Sequence, residues 1–167
     1  DEAYRDVREV ILGLRDSHKA DLTLEENLEA YTAKFAAQSG IVTEFRNETG
    51  GPVQLSPRTE VHLIRVVQEA LNNAFWHGDE SRPSVSLDVD SERCLLSIRN
   101  SSLRGTAHGN EERVSLGLRS MRFRVESLGG SLGVEWGAGG ATTISATIPL
   151  SLEADQPISS ILTVPVS

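Results

Sequence analysis

A two-layer α/β sandwich with a mixed sheet is the fold this sequence predicts, an α+β arrangement in which helices cover one face of the strands. Three observations lead there. Periodicities along the 167 residues run helix, helix, strand, long helix, two strands, helix, two strands. Both strand pairs are joined by short segments, Asp90-Ser91-Glu92 and Gly137-Ala138-Gly139-Gly140, and so read as antiparallel hairpins. A doubly wound parallel sheet would need long crossovers at those places.

Each element has its own signal. In residues 2–16, Tyr4, Val7, Ile11 and Leu14 recur at spacings of three and four, a narrow apolar stripe that suits a helical hairpin or coiled coil. A polar connector follows. The second helix opens on Thr23 and Glu26, a capping box. It buries Leu24, Leu28, Tyr31 and Phe35 and stops at Gly40. Ile41 to Arg46 reads as a strand with Ile41, Thr43 and Phe45 on one side. Ser56 then caps the longest helix, with Pro57 in its first turn, Ile64, Val67, Leu71, Ala74 and Phe75 in one sector, and an end near His77 before Gly78.

Val85, Leu87 and Val89 alternate, as do Cys94, Leu96 and Ile98, giving the first hairpin. Residues 100–114 carry almost no apolar side chains and read as a long polar loop of the kind that is usually functional. A helix from about Leu116 to Leu128 presents Leu118, Met121, Val125 and Leu128 in register and is ended by Gly129-Gly130. Strands at 131–136 and 142–148 close the fold, and 151–167 read as a tail.

Composition removes several functions. Hydrophobic residues at 38% and charged residues at 24% describe an ordinary globular chain with a core of its own. Sixteen Lys and Arg against 24 Asp and Glu give a net charge of −8, unsuited to direct nucleic-acid binding through phosphates. The single cysteine, Cys94, rules out an internal disulfide and a multi-cysteine zinc site. No apolar run is long enough for a membrane helix and no signal peptide opens the chain, so no membrane contact is expected. A start at Asp1 rather than methionine suggests a piece of a longer polypeptide.

The long helix holds the most informative polar residues. Glu69, Asn73 and His77 are successive i+4 neighbours opposite Val67 and Leu71, flanked by Asn72 and Trp76. Asparagine is a mediocre helix former, so two adjacent ones suggest a face that lines something, and Asn and Glu oxygens suit a hydrated magnesium ion. The plainer alternative is a solvated polar face. Gly117 reads as a glycine at a helix start, where free N–H groups favour phosphate, with Arg119 and Arg122 nearby; an ordinary cap is the alternative. The pairs Gly129-Gly130 and Gly139-Gly140 read as tight turns. His18, His62, His77 and His108 show no metal-ligand spacing.

Together these segments resemble a known family. Arg65 to His77 resembles the asparagine box of sensor histidine kinases of the nitrate-sensor type, with Glu69, Asn73 and His77 at its characteristic positions. Gly117 to Val125, then Leu128-Gly129-Gly130, resembles the second glycine box and the helix after it. Gly139-Gly140-Ala141-Thr142 and Ile148-Pro149-Leu150 resemble the closing hairpin. The resemblance covers about residues 1–150 and implies the ATP-binding sandwich shared with gyrase and MutL.

It implies residues 1–20 as the end of a dimerisation helix and connector, 21–150 as the ATP-binding catalytic domain, and 151–167 as a C-terminal tail. Asn73 would hold the Mg2+ that bridges the ATP phosphates, with Glu69 orienting water or metal and His77 near the phosphate end. Asn72, Asn100, Gly105, Gly117, Leu118, Arg119, Met121 and Thr142 would contact ATP, with residues 101–116 as a lid. Arg99, Arg104, Arg113, Arg119, Arg122 and Arg124 would gather around the phosphates. The reaction implied is γ-phosphoryl transfer to a histidine upstream, for relay to a response regulator with a helix-turn-helix output domain. The full-length protein would be a homodimer, with this domain cytoplasmic or the cytoplasmic portion of a membrane-bound sensor.

The sequence departs from the family at named places. Asn100 stands for the aspartate that accepts a hydrogen bond from the adenine amino group, Ser102 for the first glycine of that box, and Ser115 for the leading glycine of the second box. Exchanging a charge-assisted bond for a neutral one at Asn100 costs about 1–2 kcal/mol. A degenerate domain that serves a regulatory or dimer-supporting role is therefore the alternative function, and an anti-sigma serine kinase of the same superfamily a third.

Overall fold

In the computed structural model, described for residues 21–51, 54–76, 82–100, 111–137 and 141–150, the chain alternates three helices with five strands. In order these are α1 (Leu24–Ser39), β1 (Glu44–Asn47), α2 (Pro57–Trp76), β2 (Pro83–Val89), β3 (Arg93–Asn100), α3 (Glu111–Glu126), β4 (Ser131–Trp136) and β5 (Thr142–Pro149). The expected helix at 2–16, the lid residues 101–110 with Gly105, His77 and the tail lie outside the described residues.

The strands form one sheet in the order β1-β2-β3-β5-β4. β1 runs parallel to β2 and every other neighbouring pair is antiparallel, so the sheet is mixed, as expected. Alternation divides its faces. Val85, Leu87, Cys94, Leu96, Ile98, Ile144, Ala146 and Ile148 are buried and meet the helices. Ser84, Ser86, Ser97, Thr143, Ser145 and Thr147 point the other way and are half-exposed. One apolar layer is therefore enclosed between sheet and helices, with Leu24, Leu28, Tyr31 and Phe35 from α1, Leu63, Val66, Val67 and Leu71 from α2, and Met121 and Val125 from α3.

The caps follow the sequence. Thr23 Oγ1 accepts from the Glu26 amide at 3.3 Å, and Glu26 Oε2 accepts from the Thr23 amide at 2.8 Å. Gly40 ends α1 at φ +73°, a left-handed conformation that glycine adopts without strain. Ser56 Oγ accepts from the Thr59 amide at 3.2 Å at the start of α2.

Two elements start elsewhere than expected. β1 begins at Glu44 rather than Ile41, because the preceding residues bond locally: the Ile41 amide donates to Ser39 Oγ and Thr43 Oγ1 donates to the Ile41 carbonyl. α3 begins at Glu111, five residues before the expected Leu116. Glu-Glu-Arg is a good helix-forming start, and acidic residues favour a helix N-terminus, but neither leaves a mark in apolar periodicity.

Candidate functional site

The earlier start of α3 relocates Gly117. It is the seventh residue of the helix, where its N–H belongs to the helical ladder, and so is not at an N-terminus able to receive phosphate. Its role in the fold is spatial. Gly117 is buried against α2, and a Cβ placed on it would lie 2.5 Å from Glu69 Oε1 and 3.0 Å from Asn73 Nδ2. The polar row of α2 is therefore not a solvated face. Glu69 and Asn73 are half-buried under α3, one turn apart, and Gly117 leaves them room.

Beside them is a narrow slot of about 40 Å³, lined by Ala70, Asn73 and Ala74 of α2, Ile98 and Asn100 of β3, Leu118 of α3, Trp136 of β4, and Thr142 and Ile144 of β5. Strand register builds one wall: Asn100 pairs with Thr142, and Thr142 with Trp136, so the three lie side by side across the ends of β3, β5 and β4. Four of the expected site residues, Asn73, Asn100, Leu118 and Thr142, thus converge from α2, β3, α3 and β5 on one apolar slot. A small-ligand pocket typically measures about 300 Å³ or more, so a bound nucleotide requires this one to widen.

Other expected residues are elsewhere. Met121 is fully buried in the core, Arg119 is exposed, and Asn72 points a buried Oδ1 to no partner among the described residues; none lines the slot. Among the described residues, Arg99 and Arg124 lie away from the slot. Arg99 alternates to the opposite face of the sheet from Asn100, beside Arg46, Ser84, Ser86 and Ser97. Arg124 acts on His62, eleven residues before Asn73 on α2 and so about 16 Å along the helix. Alternation along β3 and the turn count of α2 separate charges that are close only in sequence.

Trp136 is the slot residue that sequence reasoning missed. Pairing strand 131–136 with strand 142–148 through their short loop would have set it opposite Thr142. Among the described residues no group of three His, Cys, Asp or Glu could hold a metal by itself. The oxygens of Glu69 and Asn73 fit a magnesium ion that arrives with a phosphate and keeps most of its waters.

No protein-family model matches the chain. Among curated proteins, the signal-transduction histidine-protein kinase/phosphatase DegS of Brevibacillus brevis is 30% identical over 148 residues, covering 89% of this chain and 38% of that protein. The sensor histidine kinase MctS of Rhizobium johnstonii is 32% identical over 158 residues, 93% of this chain and 33% of that one. The nitrate/nitrite sensor protein NarQ of Escherichia coli is 30% identical over 148 residues, 86% of this chain and 25% of that one. The chain spans between a quarter and two fifths of the length of such relatives. Among solved structures, the blue-light activated histidine kinase of Erythrobacter litoralis superposes with a TM-score of 0.64 at 21% identity, over 81% of this chain and 44% of that one. The catalytic domain of histidine kinase ThkA gives 0.55 at 17% identity, over 75% of this chain and 89% of that one. These two likenesses concern the fold.

Proposed function

Because this chain is homologous to the sensor histidine kinases over nearly all of its length and has the fold of their catalytic domains, we propose that it is the ATP-binding catalytic domain of such a kinase. The observation that carries the reading is the convergence of Asn73, Asn100, Leu118 and Thr142 on one slot, with Glu69 beside it. Apolar walls from Ala70, Ala74, Ile98 and Ile144 suit a flat base, and Asn100 and Thr142 offer hydrogen bonds to its edge. Asn73 joins the slot to the polar end of α2, where it and Glu69 would face the phosphates.

Magnesium, when bound with ATP, would neutralise phosphate charge and hold the γ-phosphoryl group for in-line transfer. Asn73 would orient that end through its amide oxygen and Glu69 would hold a water or the hydrated ion, with α3 packed beside both. The resemblance would also give His77 a role toward the phosphates. The phosphoryl acceptor would be a histidine upstream: in the family this chain resembles it is followed by an acidic residue, and none of His18, His62, His77 and His108 is. Relay to a response regulator with a helix-turn-helix output domain, and action as a homodimer, complete the proposal.

Titration of the chain with ATP, with and without magnesium, tests it. Magnesium-dependent binding that Asn73→Ala removes is the expected result. Absence of binding at millimolar nucleotide would overturn it in favour of a regulatory module that kept only the fold, the reading that Asn100 and the narrow slot favour.

A further inference from the structure

Two contacts set the register of α2 against α3. In the C-terminal half of α2, Glu69 and Asn73 face Gly117; at its start, Arg58 Nη2 donates to the Ser127 carbonyl at 3.2 Å. The two helices therefore run antiparallel. His62, one turn on from Arg58, comes beside Arg124, nearly one turn back from Ser127. Three nitrogen-bearing side chains from two helices thus meet at one place along the seam, with Arg58 exposed and His62 and Arg124 half-buried.

Nothing acidic answers them among the described residues. The ion pairs there join Arg46 to Glu44 and Arg93 to Asp90. Glu60 and Glu126 each stand two residues from the group, about 200° round their helices, and point away from it. Arg65, the next cation along α2, donates to Gln68 and lies toward Tyr31. The end of α3 accounts for Arg58, through its bond to Ser127, and favours a cation such as Arg124 in the last turn. It leaves His62 unexplained. The Nδ1 of His62 is buried without a partner among the described residues, and its pKa is lowered by burial first and then by Arg124 and Arg58. Like charges gathered without a counter-charge repel one another, and a bound anion removes that repulsion.

We propose that Arg58, His62 and Arg124 form a binding site for a doubly charged phosphate group, separate from the proposed nucleotide site and about 16 Å from Asn73 along α2. A phosphate near neutral pH carries about −1.5 to −2 charges, which matches two guanidinium groups where a single carboxylate would leave one unanswered. Its tetrahedral oxygens can accept from donors that arrive from two helices, and the planar fork of arginine suits them. Imidazole becomes a donor at both nitrogens by taking up a proton, so His62 turns from a repelled group into a ligand once the anion is in place. The site does not depend on the nucleotide reading.

A proton NMR titration of the imidazoles against pH, in inorganic phosphate and in sodium chloride of matched ionic strength, tests the proposal. The chain has four histidines, and the resonance lost in His62→Gln identifies the one to follow. Saturating phosphate is expected to raise the pH at which His62 titrates by about one unit, the result of roughly tenfold tighter binding to imidazolium than to imidazole. Chloride, which only screens the arginines, should move it less than half as far. Arg124→Gln should reduce the phosphate effect to that of chloride, and Arg124→Lys should restore part of it. Equal effects of phosphate and chloride, or a full phosphate effect in Arg124→Gln, would overturn the site. A neutral peptide carrying one phosphoserine distinguishes the sources of the group. A shift as large as with inorganic phosphate assigns the site to a phosphoryl group on a side chain, and a shift with inorganic phosphate alone assigns it to the free ion. The signal comes from His62 itself, so phosphate at the proposed nucleotide site does not imitate it.

Discussion

Gly117 and Glu69 are packed so closely that no side chain fits between them: a Cβ on Gly117 would stand 2.5 Å from Glu69 Oε1. The groups in the way, Glu69 Oε1 and the Asn73 amide, are the far ends of flexible side chains, so they can yield while the backbones hold. An alanine there gains about 1 kcal/mol of helix propensity over glycine. Gly117→Ala is thus expected to leave the melting temperature unchanged or raised, while displacing the two side chains of the proposed phosphate end. Affinity for magnesium-ATP should fall by roughly tenfold or more, the effect of losing a hydrogen bond to a charged group. Thermal denaturation and nucleotide titration of the same variant check both halves. A variant that is stable and binds normally would remove Glu69 and Asn73 from the site.

How much of this was legible in sequence depends on which signal each residue leaves. The Thr23–Glu26 box, Gly40 and Ser56 act within a few residues of themselves, and all cap as read. The i+4 spacing joined Glu69 to Asn73, but it could not say that α3 rather than water would face them. That depends on where α3 starts, and Glu111 to Ser115 have no apolar pattern to mark it. Arg99 shows the opposite limit: adjacent to Asn100 in sequence, it belongs to the other face of the sheet, because a strand alternates. Trp136 was readable only by carrying the hairpin pairing through to its register.

Gly130 makes a contrasting prediction to Gly117. A Cβ there would strike the Thr147 carbonyl oxygen, and would lie 3.0 Å from both Ile148 Cγ1 and Val125 Cγ1. That carbonyl belongs to the backbone of β5 and cannot turn aside, and the two apolar neighbours are core residues. Gly130→Ala should therefore destabilise the fold by about 1–3 kcal/mol, the usual cost of overpacking. Urea denaturation measures it, and a midpoint equal to that of the natural chain would mean that α3 and β5 separate more easily than their packing implies.

Tyr31 is 1% exposed, and its hydroxyl finds no hydrogen-bond partner among the described residues. Burial pushes its pKa far up, opposed by Arg65 and reinforced by Glu69, so the group remains a neutral phenol at any ordinary pH. An unsatisfied buried hydroxyl costs about 1–3 kcal/mol, and phenylalanine keeps the ring while removing it. Tyr31→Phe should raise stability by about 1 kcal/mol, a gain of roughly 2–4 °C in melting temperature for a domain of this size. A lower melting temperature would show that the hydroxyl is served by a buried water.

His62 gives the fold a dependence on pH. Its Nδ1 is buried without a partner among the described residues, and its pKa is lowered first by burial, then by Arg124 of α3 and Arg58 of α2. The folded chain therefore holds the imidazole neutral at pH values where the unfolded chain, with a histidine pKa near about 6.5, has begun to protonate. Where the unfolded state binds more protons, stability rises with pH. The contribution is fully present above about pH 7 and is lost as pH falls through the unfolded value toward the lowered one. Denaturation midpoints should thus decline between about pH 7 and pH 5, and His62→Gln, which keeps a polar side chain but cannot take up a proton, should flatten that part of the profile. An identical slope in the variant would assign the pH dependence to the carboxylates.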